Sequence, residues 1–150
     1  MRVSDLWRTL FRVGVGAFWL YFASQKWPPR GVGWMQDLIQ RAAGVNPIPG
    51  LHEFLAQVVA PNWFWFALAQ AVGETVVGVL LVLGLASRKA AVLGFLLALN
   101  LALVVAFEAP DFGLRWLYYL AVLVNAELIF VEPGSIALGR LKSVPAWLRD

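Results

Sequence analysis

Long runs of apolar residues, separated by shorter polar stretches, dominate the pattern of this chain. Four of these runs approach the length of about 20 residues that a helix needs to cross the hydrocarbon of a membrane. They cover about residues 6–24, 63–85, 90–107 and 114–131. None of them alternates polar and apolar residues with a period of two, which argues against a β-barrel. The pattern therefore predicts an all-α integral membrane protein, a bundle of four transmembrane helices.

The composition agrees with this prediction. Apolar residues make up 61% and charged residues 14% of the 150 positions, against about 45–50% and about 25% in soluble domains. The length suits one domain, so residues 1–150 are treated as a single membrane domain. The net charge of +3 is small and unevenly placed, and it does not indicate a nucleic-acid-binding protein.

The distribution of Lys and Arg sets the expected orientation, because the cytoplasmic flanks of transmembrane helices are enriched in these residues. With the N-terminus inside, eight of the twelve basic residues lie on the cytoplasmic side and four on the outer side. The Arg88-Lys89 turn is then inside, and the acidic turn at 108–111 is outside. Both termini are expected in the cytoplasm, with the spans in the inner (plasma) membrane of the cell.

The connection between the first two runs, residues 27–62, is long and holds five of the eight prolines. Two pieces of it, 34–43 and 51–59, place apolar residues at helical spacing. They predict two short amphipathic helices on the outer membrane surface, either as a cap over the bundle or as a docking face for a partner. A solvated loop with some helix is the alternative.

Glu74, near the middle of the second run, is the strongest candidate for chemistry. An acidic side chain there costs about 3 kcal/mol on insertion scales, so it is expected to face the bundle interior or a partner. Gln70 lies one helical turn away on the same face. A rise of about 1.5 Å per residue from the outer end of each run places Arg12, Asn125 and Glu127 near the depth of Glu74.

A buried charge needs a partner, and Arg12 is the only deep cation within reach of the two carboxylates by this estimate. The sequence therefore predicts an ion pair between Arg12 and Glu74, with Glu127 as the competing acceptor. The alternative is that these polar groups only fasten the helices together, at about 0.6 kcal/mol for an average contact. Tyr118, at the outer end of the fourth run, is typical of an interface anchor.

The residues for redox chemistry within this chain are few. Cysteine is absent, and the single histidine, His52, lies in the long loop. A bis-His haem or an iron–sulfur cluster therefore has no ligands within the helices, and no metal or covalently bound cofactor is expected. A redox role requires a diffusible cofactor such as quinone, or a partner that carries the electrons.

Several short stretches add a further signal: Phe11-Arg12-Val13-Gly14-Val15-Gly16, Ser24-Gln25-Lys26, Asn46-Pro47, 54–61, Gly73-Glu74, Leu83-Gly84-Leu85, Ser87-Arg88-Lys89-Ala90-Ala91 and Leu99-Asn100-Leu101. Together they resemble the DoxX/DoxD family of membrane proteins. The loop stretches and Leu99-Asn100-Leu101 are similar to the DoxD branch, the small subunit of thiosulfate:quinone oxidoreductase. The ending at 131–140 is closer to the DoxX branch.

The DoxD resemblance implies a membrane subunit that passes electrons from a sulfur compound such as thiosulfate to quinone, together with a larger oxidoreductase subunit. In that role Glu74 takes up or releases the protons of quinone reduction, as a positioned carboxylate can. The residues implied to bind quinone or substrate around Glu74 are Arg12, Trp19, Gln70, Asn100, Tyr118 and Asn125.

The DoxX resemblance implies instead a non-catalytic anchor or scaffold that gathers soluble redox enzymes at the membrane. A small-molecule or proton carrier is a third alternative, which the polar residues at membrane depth allow. The lipid membrane is the one partner common to all three. Whether the chain catalyses a reaction without another subunit, and whether it forms homo-oligomers, stays open at this point.

Overall fold

The computed structural model describes residues 3–132, 134, 136–141 and 143–149, and all the regular structure in these residues is helical. Six α-helices follow one another: α1 (Val3–Ser24), α2 (Met35–Val45), α3 (Leu51–Phe54), α4 (Trp63–Leu83), α5 (Ser87–Val104) and α6 (Phe112–Phe130). A π-helical segment, Leu55–Val59, continues α3. Two 3₁₀ turns, Leu138–Arg140 and Ala146–Leu148, lie in the C-terminal segment.

Among the described residues, three helices are long and apolar enough to cross a membrane: α4, α5 and α6. They correspond to the second, third and fourth apolar runs, although α5 begins and ends three residues earlier than predicted. The first run forms the long helix α1, which is not one of the three. Its N-terminal half carries Asp5, Arg8 and Arg12, and these charges lower its apolar character.

Helices α1 and α4 pack closely because glycines face each other at their crossing. A Cβ atom built on Gly16 would lie 2.8 Å from the backbone nitrogen of Val82, and one built on Gly78 would lie 3.0 Å from the carbonyl oxygen of Gly16. Small residues at such crossings let helix backbones approach and gain van der Waals contact. Helix α5 then packs against both α4 and α6, so α1, α4, α5 and α6 form a four-helix row, which closes on itself where α6 contacts α1.

The interior of this row contains many alanines, while many large apolar side chains point outwards. Ala67, Ala91 and Ala98 are 0% exposed, whereas Trp65 is 67% and Phe130 82% exposed. In water such a surface would be costly at about 25 cal/mol per Å² of apolar area. Small residues inside and large apolar residues outside are the arrangement expected of helices that pack in lipid.

The two helical pieces of the long connection pack onto the N-terminal half of α4. The apolar side of α2 (Met35, Ile39, Ala42 and Ala43) and that of the π-helical segment (Leu55 and Val59) are buried in one cluster with Ala67 of α4 and Val104 of α5. The sequence leaves open whether the apolar faces of these pieces cover the bundle as a cap or form a docking face for a partner. The structure places them inside the protein, where they form a cap over one end of the helical row.

Helix α4 ends at a glycine because the chain reverses there. Gly84 has φ +67°, the left-handed conformation that glycine adopts at low cost, and the amide of Leu85 donates to the carbonyl of Leu80 at 2.9 Å. The amide of Gly139 donates in turn to the carbonyl of Gly84 at 2.8 Å. The C-terminal segment is thus fastened to the α4–α5 turn.

Candidate functional site

A cavity of about 530 Å³ lies where the cap meets α1, α4, α5 and α6. Its walls are mostly apolar, with side chains such as Phe22, Met35, Leu101 and Leu117. Ligand sites in proteins typically have about 300–1,000 Å³ and a few placed polar groups on apolar walls. The size and lining of this cavity match that description.

One wall of the cavity carries a connected polar network. The ammonium group of Lys26 donates to Glu74 Oε2 at 2.7 Å, and Gln70 Nε2 donates to Glu74 Oε1 at 2.9 Å. Asn100 Nδ2 donates to Gln70 Oε1 at 3.4 Å, so the network runs from α1 through α4 to α5. Both charged groups are removed from solvent, with side chains 6% (Lys26) and 1% (Glu74) exposed.

Lys26 is held in place by more than its ion pair. It donates to the carbonyl of Phe22 at 3.2 Å, and its nitrogen lies 6.0 Å from the centre of the Phe22 ring and 5.9 Å from that of Trp34. Both distances are within the range of cation–π attraction. The cap, through Trp34, therefore helps to position the cation that faces Glu74.

The predicted ion pair between Arg12 and Glu74 is wrong, because Lys26 is the cation beside Glu74. Arg12 lies two turns further along α4, where its guanidinium donates to the carbonyls of Leu81, Val82 and Ile136. The last carbonyls of a helix lack partners within the helix. Arg12 supplies donors to them and fastens α1 to the end of α4, which is a structural role outside the cavity.

The error came from assuming that the C-terminal end of α1 and the N-terminal end of α4 lie at the same level. The contacts of Gly16 with Gly78 and Val82 set the antiparallel register of these helices. In that register Arg12 lies beside the end of α4 and Lys26 beside Glu74. About 11 residues of α4, or about 16 Å, extend past the level of Lys26, and the cap covers one side of them.

Trp19 and Asn125 hold α1 and α6 together. The indole of Trp19 donates to Asn125 Oδ1 at 3.1 Å, and Asn125 Nδ2 donates to the carbonyl of Ala121 at 2.8 Å. Trp19 and Tyr118 both line the cavity, but Asn125 does not. Glu127 is exposed and lines no part of the cavity; the structure therefore gives no support to its competing for a cation with Glu74.

Lys26 is the residue of the site that depth estimates missed. In the sequence, the position of Lys26 in the interior is indicated by a stripe along one face of α1: Arg12, Gly16, Trp19, Ala23 and Lys26. All five are buried in the structure. Position on a helix face was therefore a better guide to the partner of Glu74 than depth counted from the helix ends.

A second, almost wholly apolar cavity of about 430 Å³ lies between α1 and α6. The two cavities share Phe18, Leu117 and Ala121 in their walls. At Gly14 the second cavity is open, since a Cβ atom built there would meet nothing within 4 Å. The main cavity is thus adjacent to an apolar groove along the side of the helical row.

The described residues define an all-helical protein with three membrane-length helices and a ligand-sized cavity whose polar wall is a buried Lys26–Glu74 pair. Comparisons of this chain with models of protein families, with curated proteins and with solved structures give no match.

Proposed function

We propose that the chain is the quinone-binding membrane subunit of an oxidoreductase system, with DoxX/DoxD-like organisation, and that the quinone head binds beside the Lys26–Glu74 pair. The observation that carries this proposal is the cavity of about 530 Å³, whose lining is mostly apolar and includes the Lys26–Glu74 pair. A quinone is a flat apolar ring with hydrogen-bond acceptors at its edge. The lining of the cavity suits such a molecule.

The proposal includes four membrane spans, with α1 as the fourth and both termini in the cytoplasm. The exposed apolar surface of α4, α5 and α6 supports a lipid environment for the whole row. Because α1 packs along α4 and contributes Trp19 and Lys26 to the interior, it enters the membrane with α4. Its arginines, Arg8 and Arg12, then lie near the cytoplasmic end, as the excess of basic residues on that side requires.

The donors that face the cavity fit a quinone head. Lys26 and Asn100 carry N–H groups on the polar wall, and the phenol of Tyr118 lies on another wall. When bound, a quinone supplies reversible uptake of electrons and protons at its ring oxygens. Glu74 holds or releases a proton at its carboxylate, and Lys26 and Gln70 keep that carboxylate oriented.

The apolar groove between α1 and α6 supports a ligand with a hydrocarbon tail. A head in the main cavity reaches this groove past Phe18, Leu117 and Ala121, which line both spaces. The tail then lies along Gly14, where no side chain fills the groove. A small polar substrate such as thiosulfate has no hydrocarbon tail, so it would not use the groove between α1 and α6.

In this proposal a partner protein carries the redox centres that deliver electrons to the quinone. The sequence has no cysteine and one histidine, in the cap, so electrons reach the quinone from a larger subunit or a soluble redox enzyme. The exposed outer side of α2, with Asp37, Gln40 and Arg41, is a polar surface that also favours the second candidate function: a non-catalytic anchor for such an enzyme.

The test is gentle extraction from the native membrane followed by mass spectrometry of the organic and protein fractions. We expect stoichiometric quinone with the wild-type chain and about 10- to 100-fold less with Glu74→Gln, because the Lys26 donor beside the quinone then loses its charged acceptor, and a hydrogen bond to a charged group contributes about 1.5–3 kcal/mol. Asn100→Leu is the second variant, and Glu127→Gln is the matched control with an exposed carboxylate. An empty protein that retains a soluble oxidoreductase would favour the anchor.

A further inference from the structure

A separate cavity of about 440 Å³, at the end of the molecule where α4 turns into α5, is lined by four basic residues. They are Arg88, Lys89, Arg140 and Arg149, with Glu132 as the one acidic residue in the lining. This basic cavity lies beyond the end of α4. Ten residues of α4 and its turn, or about 15 Å, separate it from Glu74, so it is independent of the proposed quinone site.

The basic cavity is assembled by the fold from parts of the chain that are distant in sequence. The amide of Ala86 donates to the carbonyl of Leu148 at 2.8 Å, and the ammonium group of Lys89 donates to the carbonyl of Trp147 at 2.9 Å. The amide of Gly139 donates to the carbonyl of Gly84. These bonds bring the C-terminal segment, with its two arginines, back onto the Arg88-Lys89 turn.

The basic side chains in the lining of this cavity outnumber the acidic ones four to one. Within the part of the chain that the structure describes, no carboxylate lies within 4.0 Å of the charged groups of Arg88, Lys89 or Arg140. Glu132 is itself 3.7 Å from Arg8, a fifth cation. Like charges that converge in a cleft raise the local potential and attract anions. The cavity therefore suits an anionic group with several acceptor oxygens.

Apolar side chains around the basic cavity indicate where that anion comes from. Phe130, Trp147 and Leu141 are 82%, 68% and 51% exposed. An indole and large apolar side chains beside a basic cluster are typical of a protein surface at the boundary between lipid headgroups and acyl chains. Arginine suits phosphate in particular, because its planar fork donates two parallel hydrogen bonds.

We propose that the basic cavity binds the phosphate groups of an anionic membrane phospholipid, with its acyl chains beside Phe130 and Trp147. Bound lipid neutralises the converging cations and holds the C-terminal segment against the α4–α5 turn. A free phosphate ion shares the same chemistry, and the experiment separates the two sources.

The test measures lipid retained by the purified full-length chain, by native mass spectrometry, after exchange into equimolar phosphatidylglycerol and phosphatidylcholine. We expect enrichment of phosphatidylglycerol, and a loss of affinity of about 10- to 30-fold in Arg88→Gln/Lys89→Gln, since each basic residue near the surface contributes about fivefold. Glu132→Gln, which removes the one acidic residue of the lining, is expected to tighten binding.

The control is Arg30→Gln/Arg41→Gln, which removes the same charge from residues that do not line the basic cavity. Equal loss in this control, or equal retention of the two lipids by the wild-type chain, overturns the proposal. In the second arm inorganic phosphate is added to delipidated protein. Thermal stabilisation by phosphate equal to that by phosphatidylglycerol overturns the lipid as the source, and stabilisation by the lipid alone supports it.

Discussion

Replacing Lys26 by Met is expected to destabilise the protein strongly. The change leaves Glu74, whose side chain is 1% exposed, without the cation 2.7 Å away. Breaking a buried ion pair by removing one partner costs about 3–5 kcal/mol, because the remaining charge stays desolvated. At about 2–4 °C per kcal/mol for a domain of this size, the melting temperature falls by about 6–20 °C.

Thermal unfolding in a mild detergent, followed by circular dichroism, measures this loss. Arg41→Met is the matched control, since its pair with Glu108 also has a 2.7 Å distance but the Arg41 side chain is 59% exposed. Exposed pairs contribute about 0–1 kcal/mol, so this variant is expected to melt within about 4 °C of wild type.

A double-mutant cycle identifies the partner of Glu74. Lys26→Met/Glu74→Leu is expected to lose less stability than Lys26→Met alone, because replacing both members of a buried pair by apolar residues is often neutral or stabilising. The reasoning is refuted if the two losses simply add. It is also refuted if Arg12→Met couples to Glu74→Leu and Lys26→Met does not.

Three further predictions concern glycines and the cap. Gly16→Val places a side chain against the backbone of Val82, whose nitrogen lies 2.8 Å from the position of the new Cβ atom. We expect the free energy of unfolding to fall by about 1–3 kcal/mol, measured in a thermal melt. Gly14→Ala, at a position with open space, serves as the control. Gly14→Phe fills the α1–α6 groove and is expected to weaken binding of a long-tailed quinone in a titration, with no change for a tailless one. The backbone amides of Glu53 and Gly50 hold the Glu53 pKa below its ordinary value of 4.5. The stability that these bonds give the cap is therefore lost as pH falls from about 4.5 through that lower pKa. Proteolysis within residues 46–62 should accelerate over this pH range, and Glu53→Gln should abolish the pH dependence.

The long helices were predictable from the sequence, because a long apolar run without two-residue alternation favours a helix over a strand or a loop. Helices α4 and α6 begin and end within two residues of the predicted runs. The contact between Gln70 and Glu74 was also predictable, since residues four apart share a helix face. The bond between Trp19 and Asn125 was not, because it depends on the packing of α1 against α6.

The register between helices is what the sequence could not supply. Whether Glu74 meets Arg12 or Lys26 depends on where α1 crosses α4, and the close contact at Gly16 and Gly78 decides that. Nothing in the spacing of residues along one helix contains this information. The buried position of α2 has the same origin, since its apolar stripe fits a membrane surface and a protein surface equally well.

The C-terminal segment shows a further limit of sequence reasoning. Its only regular structure among the described residues is two 3₁₀ turns, and its place is set by single hydrogen bonds to the α4–α5 turn. No periodic pattern marks such contacts. The clustering of Arg88, Lys89, Arg140 and Arg149 became visible only when these bonds were known.

Photolabelling with a quinone that carries a reactive group on its ring tests the central claim most directly. The purified chain is labelled in lipid nanodiscs, digested and mapped by mass spectrometry, with an excess of unlabelled quinone as competitor. The account predicts competed labels on residues that line the main cavity, such as Met35, Leu101 and Tyr118, and weaker labelling in Glu74→Gln. Labels that are not competed, or that fall on the exposed residues Trp65 and Leu123 outside the cavity, would contradict it.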